Sequence, residues 1–109
     1  MDRVRIGFAL PRRIGETASD PTFLSHPEIL GYAQKAEELG FDSMWVPDHF
    51  YFEWPAGSFE AYPEPWTLLA AIGATTHRVQ VGSLVLAAAF RHHALLARMS
   101  VALQELTGG

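Results

Sequence analysis

The chain has 109 residues, with 8 Lys+Arg against 12 Asp+Glu and a formal net charge of -4, which fits a single domain at most. Its 49% hydrophobic content is that of a globular chain, and with no run of Lys or Arg it offers no footprint for nucleic acid or anionic lipid. The absence of cysteine excludes disulfides, thiolate metal sites and a cysteine nucleophile.

The opening MDRVRIGFALPRR is not laid out as a signal peptide. No later segment approaches the ~18 uninterrupted apolar residues of a membrane helix, so a soluble cytoplasmic protein is expected. Val4 to Leu10 alternates large and small side chains and stops at Pro11, which predicts a strand. A polar stretch from Arg12 to Asp20 follows. Ser25-His26-Pro27-Glu28 then carries a capping box with proline in the first turn. Ile29, Ala33, Ala36 and Leu39 recur at helical spacing, and Gly40 supplies the left-handed stop.

Phe41 to Val46 reads as a second strand after a brief connection. A loop rich in proline and aromatics runs from Tyr51 to Pro63, and Pro65 opens an apolar helix that reaches Thr76. Val79 to Leu86 reads as a third strand, apolar on both faces. The last helix covers Ala94 to Leu106, with Leu95, Met99, Ala102 and Leu106 on one stripe, and Thr107-Gly108-Gly109 stops it. The order β-α-β-α-β-α argues an α/β fold with a parallel sheet, open or closed into a barrel. A third strand buried on both faces and left at an edge points to the front portion of a longer α/β chain.

Ligands of parallel α/β folds sit at the carboxyl ends of the strands. Pro11 to Leu24, Pro47 to Pro63 and Ala87 to His92 occupy that position here, and the first two exceed the ~2–6 residues usual for such connections. Seven aromatic residues lie between Phe50 and Trp66, namely Phe50, Tyr51, Phe52, Trp54, Phe59, Tyr62 and Trp66. They could wall an apolar pocket for a planar ligand, or cover the mouth of the sheet. Asp48-His49 follows the second strand directly; an imidazole beside a carboxylate can move a proton near neutral pH, or the pair can be a plain Pro-Asp turn. Arg91 could bind an acidic group or pair with Asp48. His92 and His93, being adjacent, should diverge, although Asp48, His49 and His92 could still form a mixed oxygen/nitrogen metal site. Gly82 inside the third strand marks a close approach, by a flat ligand ring or by a tight layer inside a barrel.

Four segments, taken in order, resemble the bacterial luciferase-like monooxygenase family. They are Val4 to Pro11, Ala36-Glu-Glu-Leu-Gly-Phe-Asp-Ser-Met-Trp-Val-Pro-Asp-His-Phe50, Thr75-Thr-His-Arg-Val-Gln-Val-Gly-Ser83 and Phe90-Arg-His-His-Ala-Leu-Leu-Ala-Arg-Met99. The resemblance implies a TIM barrel, of about 250 residues in such folds. Residues 1–109 would then be a partial (β/α)8 domain, the first three βα units, truncated before strand four. It is nearest to the branch that uses the deazaflavin coenzyme F-420, with FMN the alternative. By that likeness His49 is the catalytic residue near the reactive ring and Asp48 helps bind the cofactor. A non-proline cis peptide is implied at or near Leu84-Val85, after Gly82 and Ser83, backing the ring. A small-molecule substrate, no metal and a homo-oligomer, a dimer, are implied for the full-length protein. His93 departs from the family's Arg-His-Pro pattern. The phosphate-binding segments and much of the substrate pocket would lie beyond this chain. The resemblance therefore implies an oxidoreductase passing hydride between a deazaflavin and an organic substrate, or an FMN-dependent monooxygenase. Without it, a non-catalytic α/β module that pairs through its edge remains open, as does a metal hydrolase.

Overall fold

The computed structural model describes residues 3–11, 13–14, 22–53, 57 and 59–109. In chain order the elements are β1 (Gly7–Ala9), β2 (Arg13–Ile14), β3 (Thr22–Phe23), α1 (His26–Glu38), β4 (Ser43–Val46), β5 (Tyr51–Glu53), β6 (Phe59–Ala61), α2 (Pro65–Thr75), β7 (Gln80–Ser83), a 3-10 turn (Ala88–Phe90) and α3 (His93–Thr107). The three expected βα units are β1-α1, β4-α2 and β7-α3, and their strands form one parallel sheet in the order β1-β4-β7. Two antiparallel ribbons, β2-β3 and β5-β6, stand in the first two loops; the polar and aromatic stretches there had been expected to be irregular.

Register decides which side chains meet. Gly7 aligns with Ser43 and then Gln80, and Ala9 with Trp45 and then Gly82. These residues share one face, because side chains alternate along a strand. Met44, Val46 and Val81 take the other face, where Met44 and Val46 are buried with Leu10, Ile29, Ala33, Ala36, Leu69 and Ile72. Helices α1 and α2 thus cover one face, and Leu103 of α3 joins the same core. The Trp45 face carries no helix and leaves that indole 37% exposed. Doubly wound sheets are covered on both sides; helices on one side only are the arrangement of a barrel wall.

The capping expectations hold in detail. Ser25 donates to the Glu28 carboxylate through its backbone N–H (2.8 Å) and its hydroxyl (2.6 Å), and Gly40 has φ +90°. Leu39 departs from the expected stripe: it caps the carboxyl end of α1 and is 68% exposed. All three sheet strands are shorter than expected. Val4 and Ile6 are exposed ahead of β1, and β7 ends at Ser83 because the chain turns at Leu84-Val85. Nor is β7 buried on both faces, since Gln80 is exposed and Val81 to Ser83 are half-buried. The α3 stripe is also rotated. Leu96, Met99, Leu103 and Thr107 are its half-buried positions, whereas Leu95 and Leu106 face outward.

Carboxylates fix the amino ends of the strands. Asp42 accepts from the Ile6 N–H (2.8 Å) and pairs with Arg3; these two contacts hold its carboxyl below the usual range. Glu37, at the end of α1, accepts from three successive backbone N–H groups, those of His77 (2.9 Å), Arg78 (2.6 Å) and Val79 (3.0 Å). Burial pushes its carboxyl up, but the three donors outweigh burial and leave it below its ordinary value. The connection entering β7 is thereby tied to α1.

Candidate functional site

At the carboxyl end of β4 the ladder stops at Pro47, which has no N–H to give. Just before it, the Val46 carbonyl accepts from both the Leu84 N–H (2.8 Å) and the Ser83 hydroxyl (3.1 Å). The ends of β4 and β7 are therefore locked side by side. Asp48, His49, Gly82, Ser83, Leu84 and Val85, the residues singled out from sequence, all fall at this edge of the sheet.

Asp48 turns inward, its side chain only 3% exposed. Its Oδ2 accepts from the Ala87 N–H (2.9 Å) and from Arg91 Nη1 (2.6 Å), and its Oδ1 accepts from Arg91 Nη2 (3.2 Å). Of the two roles open to Arg91, pairing with Asp48 is the one observed. Arg91, 11% exposed, also pairs with Glu64. Glu64 in turn caps α2 by accepting from the Thr67 N–H (2.7 Å). Burial pushes the Glu64 carboxyl up, but the Arg91 and Thr67 hydrogen bonds outweigh it and bring it to about 2. The Asp48 hydrogen bond, acting against burial and helped by Glu64, drives the Arg91 guanidinium further up. Glu64 is a member of the site that sequence reading passed over; the Glu-Pro pair at a helix start was its signal.

His49 points the other way and is exposed, its ring 5.5 Å from that of Tyr62. The Tyr62 N–H donates to the Phe50 carbonyl (3.1 Å), and Phe50 stacks on Phe90 with centroids 3.9 Å apart. Beyond Ser83, the Leu84-Val85 peptide is cis, where the family resemblance had placed such a bond. Both side chains of that turn stand in the open, 59% and 69% exposed. Gly82 is closely approached by the Trp45 indole. A Cβ there would lie 2.7 Å from Trp45 Cζ3, and one on Gly7 would lie 2.6 Å from Trp45 Nε1. The indole spans the sheet with a glycine under each end, which is the tight-layer alternative.

The aromatic loop is divided among several tasks. Tyr51 and Phe59 meet edge-on across the β5-β6 ribbon, 5.6 Å apart. Phe50 leaves the ribbon for Phe90, and Trp66 lies on α2 against the core. Trp54 and the Phe52 side chain lie outside the described residues, as does most of Arg12 to Asp20. His92 and His93 do not diverge: their rings stack 4.3 Å apart. His92 Nδ1 accepts from the Ala94 N–H (3.3 Å) as the cap of α3. With the Asp48 oxygens held by Arg91 and Ala87, the Asp48-His49-His92 metal arrangement is not assembled. Among the described residues no three His, Asp or Glu side chains converge.

A cavity of about 580 Å³ opens elsewhere, bounded by Arg5, Ser43, Trp45, His77, Gln80 and Gln104. It follows the β7 side of the sheet along α2 and α3, and neither Asp48 nor His49 lines it. Ligands of parallel α/β sheets sit at the carboxyl ends of the strands, so size does not make this cavity the site. Among the described residues no helix is long and apolar enough to cross a membrane.

Known proteins share this layout. An F420-dependent glucose-6-phosphate dehydrogenase of Amycolatopsis mediterranei is 36% identical over 100 residues, covering 89% of this chain and 28% of that protein. A solved F420-dependent secondary alcohol dehydrogenase, in complex with an F420-acetone adduct, superimposes with a TM-score of 0.75 over 99% of this chain and 30% of that one. At 23% identity that likeness is one of fold. The monooxygenase RslO1 from Streptomyces bottropensis superimposes with a TM-score of 0.71 at 29% identity, over 95% of this chain and 30% of that one. The chain thus spans between a quarter and a third of the length of these relatives. The luciferase-like monooxygenase family model matches residues 4–109, and with the parallel three-strand sheet and its one-sided helices already in view, the chain belongs to that family.

Proposed function

We propose that this chain forms one wall of the cofactor site of an F-420-dependent oxidoreductase, built on a TIM barrel, that passes hydride between the deazaflavin and an organic substrate. The observation that carries the reading is that an exposed imidazole, His49, and an uncovered apolar turn, Leu84-Val85, follow the carboxyl ends of two paired strands, β4 and β7. A flat, largely apolar ring suits that turn. When bound, the deazaflavin supplies a two-electron centre that takes or gives hydride. Dehydrogenation releases a hydride and a proton together, and His49, an imidazole at the rim, is placed to hold or move the proton. Leu84 and Val85 exclude water from one side of the ring. Asp48 serves the cofactor site by keeping the Ala87 N–H and Arg91, and with them the turn, in place.

The F420-dependent names of relatives at 36% and 39% identity support the cofactor. The likeness to a monooxygenase at 29% identity supports a second reading, reduced FMN with molecular oxygen on the same wall. Titrating the intact protein with coenzyme F-420 and with FMN, while following ring fluorescence, separates the two. His49→Ala is expected to slow hydride transfer at least tenfold, about 1.4 kcal/mol, with a smaller loss of cofactor affinity. Unchanged turnover would remove His49 from the mechanism.

A further inference from the structure

His49 is held by its neighbours more than by its own ring. The residue before it, Asp48, is gripped through both carboxylate oxygens by Arg91. The residue after it, Phe50, lies flat on Phe90, with the rings 18° from parallel. Phe90 and Arg91 are adjacent in sequence and arrive together from the end of β7. One dipeptide therefore clasps both flanks of the candidate catalytic residue.

We infer that Phe90-Arg91 is a positioning pair that fixes the direction of the His49 imidazole at the carboxyl end of β4. The two contacts restrict different freedoms. The guanidinium fork meets a carboxylate in one plane, so the bidentate contact sets the rotation of the Asp48 side chain and limits movement of its backbone. The ring stack limits lateral drift of Phe50, whose carbonyl receives the N–H of Tyr62, the residue whose ring neighbours the imidazole. Glu64 steadies Arg91 from the far side and carries the same constraint to the start of α2. A turn needing only closure would be served by backbone hydrogen bonds. A buried fork on one flank and a ring stack on the other serve orientation, and a reacting group needs to sit within about 0.5 Å of its productive place.

The proton-handling role of His49 during hydride transfer rests on the functional reading above; the positioning itself does not, and the test keeps them apart. In the intact protein, Arg91→Lys keeps the charge and loses the fork, and Phe90→Leu keeps apolar bulk and loses the stack. Each is expected to shift the His49 Cε1–Hε1 NMR cross-peak and weaken its ring-to-ring NOE with Tyr62. Each is also expected to slow hydride transfer by up to about 10²-fold while coenzyme F-420 affinity changes less than about threefold. Folded variants with wild-type His49 cross-peak and NOE overturn the inference, whatever their melting temperature. Should Arg91→Lys fail to fold, Phe90→Leu, which disturbs no ion pair, carries the test. Should the wild-type protein bind no F-420, the functional reading falls, and the cross-peak still decides the positioning.

Discussion

The indole of Trp45, laid across two glycines, makes Gly82→Ala a two-sided experiment. Its Cβ would come within 2.7 Å of Cζ3 and 2.9 Å of Cε3, closer than packed carbons tolerate. The other end of the indole lies over β1 and its Nε1 donates to Ser43 Oγ at 3.0 Å, so sliding that way to make room would break this hydrogen bond. Overpacking of this kind costs about 1–3 kcal/mol. Gly82 is not among the glycines with positive φ, so alanine there also removes freedom from the unfolded chain, a gain of about 0.4–1 kcal/mol. In the wild-type background the clash dominates, and a net loss of roughly 1–2 kcal/mol is expected. In a Trp45→Leu background the clash disappears and the same substitution should stabilise by about 0.5 kcal/mol. Urea denaturation of the four proteins in the cycle gives the coupling directly. An equal effect of Gly82→Ala in both backgrounds would refute the indole as the reason for glycine.

Two carboxylates carry further expectations. Glu37→Ala leaves the N–H groups of His77, Arg78 and Val79 without their shared acceptor and should lower stability by about 1.5–3 kcal/mol, read as a fall in the urea midpoint with the slope unchanged. Glu64 has its folded value depressed to about 2 from an ordinary 4.5, so the unfolded state binds the proton more readily. Its contribution is complete above pH 4.5 and drains as the pH falls toward 2. Glu64→Gln should flatten that part of the acid unfolding curve relative to wild type; superimposable curves would discount the contact with Arg91.

The fold was legible where local chemistry and tertiary environment agree. Ser25 with Glu28, Gly40, and Pro65 at the head of α2 each mark an element boundary through a backbone requirement that no distant residue can overrule. Strand ends were less legible. Leu84 and Val85 are good strand formers by composition, and only the turn after Ser83 takes them out of the sheet. The α3 stripe differs from the expected one for a related reason: Leu95 and Leu106 are as apolar as Leu96 and Leu103, so the face is decided by where α2 and the sheet lie. Within the site, the Asp48-His49 pair could be located from its strand, but its two side chains part company because Arg91, 43 residues on, claims the carboxylate. Both roles for Arg91 were chemically reasonable from sequence. Choosing between them required the distance between two loops.

The layering of the core also sets where the backbone opens. Strand β4 has a partner on each side and contributes Met44 and Val46 to the core. All 15 residues of α3 remain at least partly accessible. In amide hydrogen exchange the sheet strands and helices among the described residues should therefore form a gradient, slowest at β4 and fastest along α3, where local opening releases little buried surface. The Leu84 to Ala87 turn sits on the step between these regimes, stitched to the slow side by the Val46 carbonyl and the Asp48 carboxylate. Protection of the Leu84 and Ala87 amides should consequently follow β4, although the helix just beyond them is expected to exchange faster.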